Sequence, residues 1–501
     1  MGNQKNSYFE RIFAWLLLAM AVLSIFTVVF VIVSRFQYPY GLERMEGASL
    51  IQVGRILEHQ SLYIPPSIDY VPMIYPPVYF YLSALVSRVL GLHFASLRLV
   101  SSLAFAGCLV FIFLMIRKTT GDQYSSWIGA GFFAATYPLS GIWFDIARVD
   151  TLFVFFCIAA IWFSSREDSK ALFLAGLFWV LTVFTKQTGL LALFFSFAYL
   201  LVFNFKRNII RLAWTGLLGI LAYVLCSMLW GDWFLYYVFY LPTFHQIQDN
   251  IADILNSVFQ LFLPLLLSIF ISFTPLFLDR DLRSREPVRY FGYMTLVLFG
   301  LSLIGRLNLG GFTNVYMPAH AMLAVMFGAS LNWWKIKILS KGTQRASLYL
   351  SVVYLLCIFQ FMMLLYDPRS VIPPSTQAEE WSQLRQYIAR TDGDVLAPEI
   401  NYLTMLAGKR SFSNQVALDE ILGTFGEAEP TQSENLRREI DHGLQDGRFD
   451  VLLLKTAEDP WKDVGMYYRC LSLSRALNQE GYPFSGLQDY QACYPIKNNP
   501  Q

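Results

Sequence analysis

The sequence predicts a polytopic α-helical membrane protein of about eleven spans, followed by a small soluble α/β domain. Three observations predict it. The 501 residues are 55% hydrophobic and 17% aromatic but only 15% charged, whereas soluble domains carry about 25% charged residues. Apolar stretches near spanning length recur through residues 1–366, while residues 367–501 have the balance of an ordinary soluble sequence. Within the membrane part, one hydrophilic island from Gln37 to Pro77 separates the first long apolar run from all later ones. The formal net charge of +2 and the lack of a basic domain give no footprint for nucleic acid.

The first run, Ile12 to Val33, is too long for a signal-peptide core and lacks a small-residue cleavage site, so it reads as a retained anchor. The island then holds Glu43 and Glu46, followed by an amphipathic segment, Ala48 to His59. There Leu50, Val53 and Leu57 lie on one side and Ser49, Gln52, Arg55 and His59 on another. Pro76 to Leu90 opens with a proline pair and ends at Gly91. At about 1.5 Å per residue it is too short to cross a core of about 30 Å, so it is expected along the membrane surface.

Basic clusters set the orientation, because cytoplasmic loops collect Lys and Arg. They fall at Lys5/Arg11, Arg117-Lys118, Arg166/Lys170, Lys206-Arg207/Arg211, Arg280 to Arg289 and Lys335 to Arg345. With the short helix on the surface, every cluster lies on the cytoplasmic side. The expected spans are 12–34, 97–116, 126–145, 150–165, 170–185, 187–204, 209–230, 253–278, 290–305, 316–336 and 346–366. The island, Arg148/Asp150, Lys186, the Asp232–Asp253 loop, Arg306 to Asn314 and the tail then share the external face. The tail is expected to hold strands at Asp394–Pro398, Asp450–Leu454 and Tyr482–Tyr494, with helices at Asn435–Leu444 and Asp463–Asn478. This divides the chain at 366/367, with an external catalytic loop over residues 35–96.

Charged residues at bilayer depth are costly and usually have a partner or a function. Arg148 and Asp150 flank a tight turn; they either pair with each other or serve a ligand, Arg148 through a bidentate phosphate contact. Lys186 is a cation in a turn otherwise poor in charge, either snorkelling or holding phosphate. Arg306 and Asn314 bracket Gly310-Gly311, a backbone able to approach a ligand. Glu46 either caps the amphipathic helix or acts as a base. Glu43 either pairs with Arg44 or Arg35 or joins the site. The aromatic run Trp233, Phe234, Tyr236, Tyr237, Phe239, Tyr240 reads as an interfacial belt. The histidines share no metal-ligand spacing. Of six cysteines, Cys108, Cys157, Cys226 and Cys357 lie in apolar runs, while Cys470 and Cys493 pair only if the tail faces an oxidising compartment.

The ordered set of an acidic external loop, Tyr75-Pro76-Pro77-Val78-Tyr79, Ala147-Arg148-Val149-Asp150, Thr185-Lys186-Gln187-Thr188-Gly189 and Gly310-Gly311-Phe312-Thr313-Asn314-Val315-Tyr316 before a late span resembles the GT-C glycosyltransferases. The resemblance is to the branch of the protein O-mannosyltransferases and the lipid A aminoarabinose transferase. It implies a GT-C-like fold and inverting transfer of a hexose or pentose from a polyprenyl-phosphate sugar to an acceptor hydroxyl of a lipid, polysaccharide or protein. It places the site on the outer face of the cell (inner) membrane, with the N-terminus cytoplasmic and the C-terminal domain extracytoplasmic. By the same resemblance Glu46, or second Glu43, activates the acceptor. The residues themselves offer Arg148, Lys186, Arg306 and Asn314 as candidate substrate ligands, Tyr75 as a hydrogen-bond donor, and Asp150 as a candidate catalytic residue that orients the base or the sugar. Tyr75 stands where members often carry Lys or His, and Arg148-Val149-Asp150 departs from an Arg-Pro-Asp turn common in bacterial relatives. No cofactor is required in that branch, although Glu43, Glu46 and Asp150 have the donor chemistry for a divalent ion. A transporter or flippase for lipid-linked sugars is the competing class, but it predicts internal repeats and broken midplane helices, which the sequence lacks.

Overall fold

The computed structural model describes residues 2–343, 345–455, 460–461, 463–479 and 490–496. The membrane part opens with α1 (Gly2–Phe36), and the island carries α2 (Glu46–Leu57) and α3 (Val78–Leu90). Then come α4 (Phe94–Thr120), α5 (Gln123–Ala135), α6 (Val149–Ser164), α7 (Ser169–Thr185), α8 (Gly189–Phe203) and α9 (Phe205–Trp230). A short α10 (Asp232–Leu235) begins the next loop, and α11 (Ile251–Phe262) and α12 (Leu266–Leu278) form one apolar rod interrupted at Pro264. After α13 (Arg280–Ser284), the bundle closes with α14 (Glu286–Leu307), α15 (Met317–Ser340) and α16 (Ala346–Met363).

Among the described residues, six helices are long and apolar enough to cross a membrane: Tyr8–Phe36, Phe94–Thr120, Phe205–Trp230, Ile251–Leu278, Glu286–Leu307 and Ala346–Val371. Four of the other expected spans are shorter or more polar. The helices α6, α7 and α8 have 16, 17 and 15 residues. Helix α15 has the length, at 24 residues, but carries Pro318, His320 and Asn332, and is buried on all sides from Met317 to Gly328. The expected span 126–145 is corrected. Its helix stops at Ala135, because Pro138 and Gly141 break it and Asp145 turns inward to meet Arg35. Helix α3 is short and one-sided: Tyr79, Phe80, Ser83, Ala84 and Ser87 are buried, while Tyr81, Leu85, Val89 and Leu90 are exposed.

The tail runs α17 (Ser375–Arg390), β1 (Val395–Leu396), α18 (Asn401–Leu406), α19 (Gln415–Leu422), α20 (Pro430–Gln445), β2 (Val451–Lys455), β3 (Tyr468–Ser472), α21 (Leu473–Gln479) and β4 (Tyr490–Pro495). Its sheet has the order β1-β2-β4-β3, with β1 parallel to β2 and the other pairs antiparallel. The helix expected over Asp463–Asn478 is corrected. Apart from one 3-10 turn at Val464–Met466, only its end is helical, because Tyr468–Ser472 pairs with β4, where Cys470 stands opposite Cys493 and forms a disulfide. The expected strand at Tyr482–Tyr494 begins at Tyr490 among the described residues, and its first part lies outside them.

Two hydrophobic cores result. One fills the bundle between α1, α4, α5, α6, α14, α15 and α16. The other runs without interruption from the island (Tyr40, Leu50, Val53, Tyr63) into the tail (Leu384, Ile388, Tyr402, Leu403, Leu453). Full burial of each such side chain stabilises by about 1.5–3 kcal/mol, so the tail is held against the island. The contact is close: a Cβ at Gly47 of α2 would run into the Tyr402 ring of α18.

Candidate active site

The two carboxylates of the island part company within one turn of chain. Glu46 is fully buried. One of its oxygens accepts from Leu42 N at 2.6 Å and Arg98 Nη2 at 2.7 Å, the other from Ala147 N at 2.5 Å and Arg98 Nε at 3.1 Å. Arg98 spends its remaining donors on the carbonyls of Arg35, Tyr38 and Tyr40. Burial alone would raise the Glu46 carboxyl, but the Arg98 charge and these hydrogen bonds outweigh it and hold the group below its ordinary range. Glu46 therefore fastens the island to α4 and to the turn before α6, with no acceptor position left over.

Glu43 instead lines a cavity of about 700 Å³. Its carboxylate accepts from Met45 N at 2.9 Å and from Arg148 Nη1 at 3.2 Å. From there a row of alternating charges runs along the wall. Arg148 Nε lies 3.3 Å from Asp150 Oδ2, and Lys186 Nζ donates to Asp150 Oδ1 at 2.7 Å. Asn314 Nδ2 donates to the same Oδ1 at 2.7 Å, while Oδ2, though near Arg148, has no hydrogen-bond partner. Arg148 also donates to the Tyr75 hydroxyl at 3.1 Å. Burial pushes the Tyr75 phenol up despite the pull of Arg148 and Lys186, so it stays neutral with a proton to donate. Gln187 donates to Ile74 O at 3.2 Å, and its buried carbonyl oxygen has no partner. A second, narrow cleft of about 50 Å³ opens off the same wall, sharing Lys186, Thr188, Gly305, Asn314 and Val315 and continuing between apolar side chains of α6, α8 and α14.

The turn before α6 is strained. Gly141 (φ 70) and Ile142 (φ 66) are both left-handed, and a β-branched residue there is a genuine outlier. A Cβ at Gly141 would collide with Thr313. The strain is held by Arg35, which donates to Ile142 O and Asp145, and by the Tyr137 hydroxyl, which donates to Asp145 at 2.7 Å. What the turn delivers is Trp143, stacked on Phe312 at 5.2 Å and lying under the Arg148 guanidinium at 4.4 Å.

The tail supplies the opposite wall through Val416, Glu420 and Phe425. Glu420 meets His245 Nε2 at 2.5 Å. Burial would lower the imidazole, but the hydrogen bond and charge of Glu420 raise it overall. Backbone bonds reinforce this seam: Gln246 N to Phe425 O at 3.0 Å, Glu427 N to Phe244 O at 3.1 Å and Leu309 N to Gln246 O at 3.0 Å. At the rim Arg44 grips Glu399 through Nε at 2.6 Å and approaches Asp419, whose carboxyl burial pushes up to about 6.

Of the residues singled out in the sequence, Glu43, Tyr75, Arg148, Lys186 and Asn314 line the cavity, and Asp150 stands directly behind them. Arg306 does not: it donates to Gly311 O at 3.0 Å and braces its own loop. Gly311 is glycine because a Cβ would strike the Gly305 carbonyl, a packing requirement within the loop. Glu46 lies in the interior, so Glu43, Glu46 and Asp150 do not converge as metal ligands. Among the described residues no three His, Cys, Asp or Glu come together in that way. Sequence reasoning missed Arg98, Asp145, Trp143, Gln187 and Glu420. Arg98 and Asp145 could have been found, since each is a charge inside an expected span; Glu420 gave no signal of its own.

The sequence pattern of the dolichyl-phosphate-mannose-protein mannosyltransferases matches residues 75–230, the stretch from Tyr75 to the end of α9. No curated protein matches the chain in sequence. Among solved structures, ArnT from Cupriavidus metallidurans in the apo state superposes with a TM-score of 0.61 at 11% identity, covering 95% of this chain and 99% of that one. The same protein bound to undecaprenyl phosphate gives 0.62 at 12% identity, with the same coverage. The archaeal oligosaccharyltransferase AglB from Archaeoglobus fulgidus, in complex with an inhibitory peptide and a dolichol-phosphate, gives 0.52 at 10% identity over 95% of this chain and 75% of that one. The chain thus has the GT-C fold of ArnT and AglB, in a membrane protein that resembles the mannosyltransferase and ArnT branch, as the motifs implied.

Proposed function

We propose that this chain is an inverting glycosyltransferase that moves a sugar from a polyprenyl-phosphate donor to an acceptor hydroxyl on the extracytoplasmic face of the membrane. The observation that carries the reading is the row Glu43–Arg148–Asp150–Lys186 on one wall of the cavity, a carboxylate at one end and a cation at each of two positions beyond it. The fold and the match over residues 75–230 support it, as do the lipid phosphates named with the similar structures. The Cys470–Cys493 disulfide favours an oxidising compartment for the tail, and the basic clusters favour a cytoplasmic N-terminus.

The geometry supports the following roles. Arg148 and Lys186 receive the donor phosphate, Asp150 and Asn314 hold those cations in place, and Tyr75 offers a hydrogen bond. Arg148 donates to Glu43. A phosphate that takes Arg148 leaves Glu43 free to accept the proton of the acceptor hydroxyl. The acceptor oxygen then bonds to the anomeric carbon as the bond from that carbon to the phosphate oxygen breaks, inverting the centre through an oxocarbenium-like transition state. The departing lipid phosphate keeps the electron pair beside Arg148 and Lys186. A positioned carboxylate base contributes roughly 10²–10⁴-fold. Glu46 is a positioning residue, and the tail wall at Val416, Glu420 and Phe425 is the face offered to the acceptor.

A panel of labelled polyprenyl-phosphate hexoses and pentoses, presented to the purified full chain with lipid, glycan and peptide acceptors, tests the reading. Turnover of a donor by the wild type, lost in Arg148→Gln with folding intact, is the expected result. A folded protein that releases no sugar from any donor and acceptor pair contradicts it.

A further inference from the structure

A second groove, of about 540 Å³, lies between the C-terminal end of α2, the exposed side of α3 and the top of α9. It shares no lining residue with the central cavity. Its lining is mixed. The polar part is His59, Gln60 and Ser61, which follow α2, with Arg88 from the last turn of α3. Arg88 is exposed, and no side-chain hydrogen bond or ion pair engages it among the described residues. Arg55 is already committed, donating to Ser61 O and stacking over Tyr70, and the nearby Glu58 carboxylate accepts from Gln60. The rest of the lining is apolar and includes Ile56, Leu57, Tyr81, Leu85, Leu229 and Trp230.

The apolar lining does not stop at the groove, since Leu229 and Trp230 close α9. It runs onto the outer face of α9, where Leu221, Leu225 and Met228, at positions i, i+4 and i+7, are 57%, 58% and 80% exposed. Only 11% of the apolar window of this helix is buried, the least of the six spanning helices, so that face belongs to hydrocarbon. A water-soluble ligand would leave this continuation unused. A molecule with an anionic head and an apolar chain matches both parts of the lining.

We propose that this groove binds one anionic membrane glycerophospholipid, its phosphate on Arg88 and His59 and an acyl chain along Leu85, Leu229 and the exposed row of α9. The site is independent of the transfer reaction. Its consequence is mechanical: the lipid ties the C-terminal end of α2, the helix that begins at Glu46, to α3 and α9 at the membrane surface.

The test is lipid retention by the full-length protein, counted by native mass spectrometry after equilibration in vesicles of phosphatidylglycerol, phosphatidylcholine or their mixture. The wild type is expected to keep one phosphatidylglycerol in preference to phosphatidylcholine. Arg88→Gln should lose about five-fold in that preference, the share of one Arg near a surface, His59→Gln should lose a smaller part of it through the missing imidazole contact, and Arg88→Lys should restore most of the Arg88 share. An unchanged thermal midpoint in lipid-free detergent verifies that each variant is folded, and if Arg88→Gln does not fold, His59→Gln alone decides. Equal retention of the two lipids, or undiminished preference in the glutamine variants, overturns the proposal. So does binding of inorganic phosphate alone that displaces no lipid.

Discussion

The knot around Glu46 and the wall around Glu43 are built from the same island, three residues apart, with opposite outcomes. In the knot every acceptor position of the carboxylate is filled by a donor from three separate segments, and water is excluded. On the wall the carboxylate keeps one loose bond to a cation and faces an open volume. A buried, saturated ion pair is suited to fixing geometry, whereas a partly paired one can exchange partners. The residue type says nothing about which is which; the number of donors aimed at each oxygen does.

Breaking the knot should have the largest effect. Removing one partner of a buried pair typically costs 3–5 kcal/mol, so Glu46→Ala or Arg98→Ala should lower the yield of folded protein and the thermal midpoint sharply. The double variant Glu46→Gln with Arg98→Met should cost less than the sum of the two changes, since the leftover charge is gone. On the wall, Arg148→Gln and Lys186→Gln each leave Asp150 one cation and a neutral hydrogen-bonding side chain, so each should lower the thermal midpoint less than Arg98→Ala does. Each should reduce donor use by about 10–150-fold, the scale of a charged hydrogen bond of about 1.5–3 kcal/mol, read as kcat/KM for the donor.

The tail seam sharpens the comparison from the other side. Arg44 is 42% exposed, so its pair with Glu399 is screened, and Glu399→Gln should shift stability by no more than about 1 kcal/mol. The smallest effect should be that of pH on the His245–Glu420 contact. The imidazole is raised in the folded state, so its contribution is complete below the ordinary histidine value of about 6.5. It is lost as pH rises through the raised folded value. Protection of the Gly423–Glu427 backbone from hydrogen exchange should therefore fall as pH rises past the ordinary histidine value, and His245→Gln should abolish that dependence.

Much of this arrangement was legible in the chain because charge is expensive in an apolar sequence. Arg148, Asp150 and Lys186 stood out for that reason, and the turns that carry them fall together at one end of the bundle. The same rule applied to Arg98 and Asp145 would have exposed the knot and the brace on the strained turn, and with them the early end of α5. Glu46 drew attention by its place at the start of an amphipathic helix, where a local pattern cannot reveal a partner 52 residues away. The tail's share of the cavity was least legible. Glu420 is one acidic residue among many in a soluble stretch, and only the continuous core between island and tail brings it to the wall.

The most direct measurement is sugar transfer by Glu43→Gln and Glu46→Gln proteins side by side, each normalised to its folded fraction. The account predicts that Glu43→Gln loses at least about 10²-fold in turnover with an unchanged thermal midpoint. Glu46→Gln should lose stability, and its surviving folded fraction should turn over far better than the Glu43 variant. Normal turnover in folded Glu43→Gln protein, with turnover abolished in equally stable Glu46→Gln protein, would contradict it.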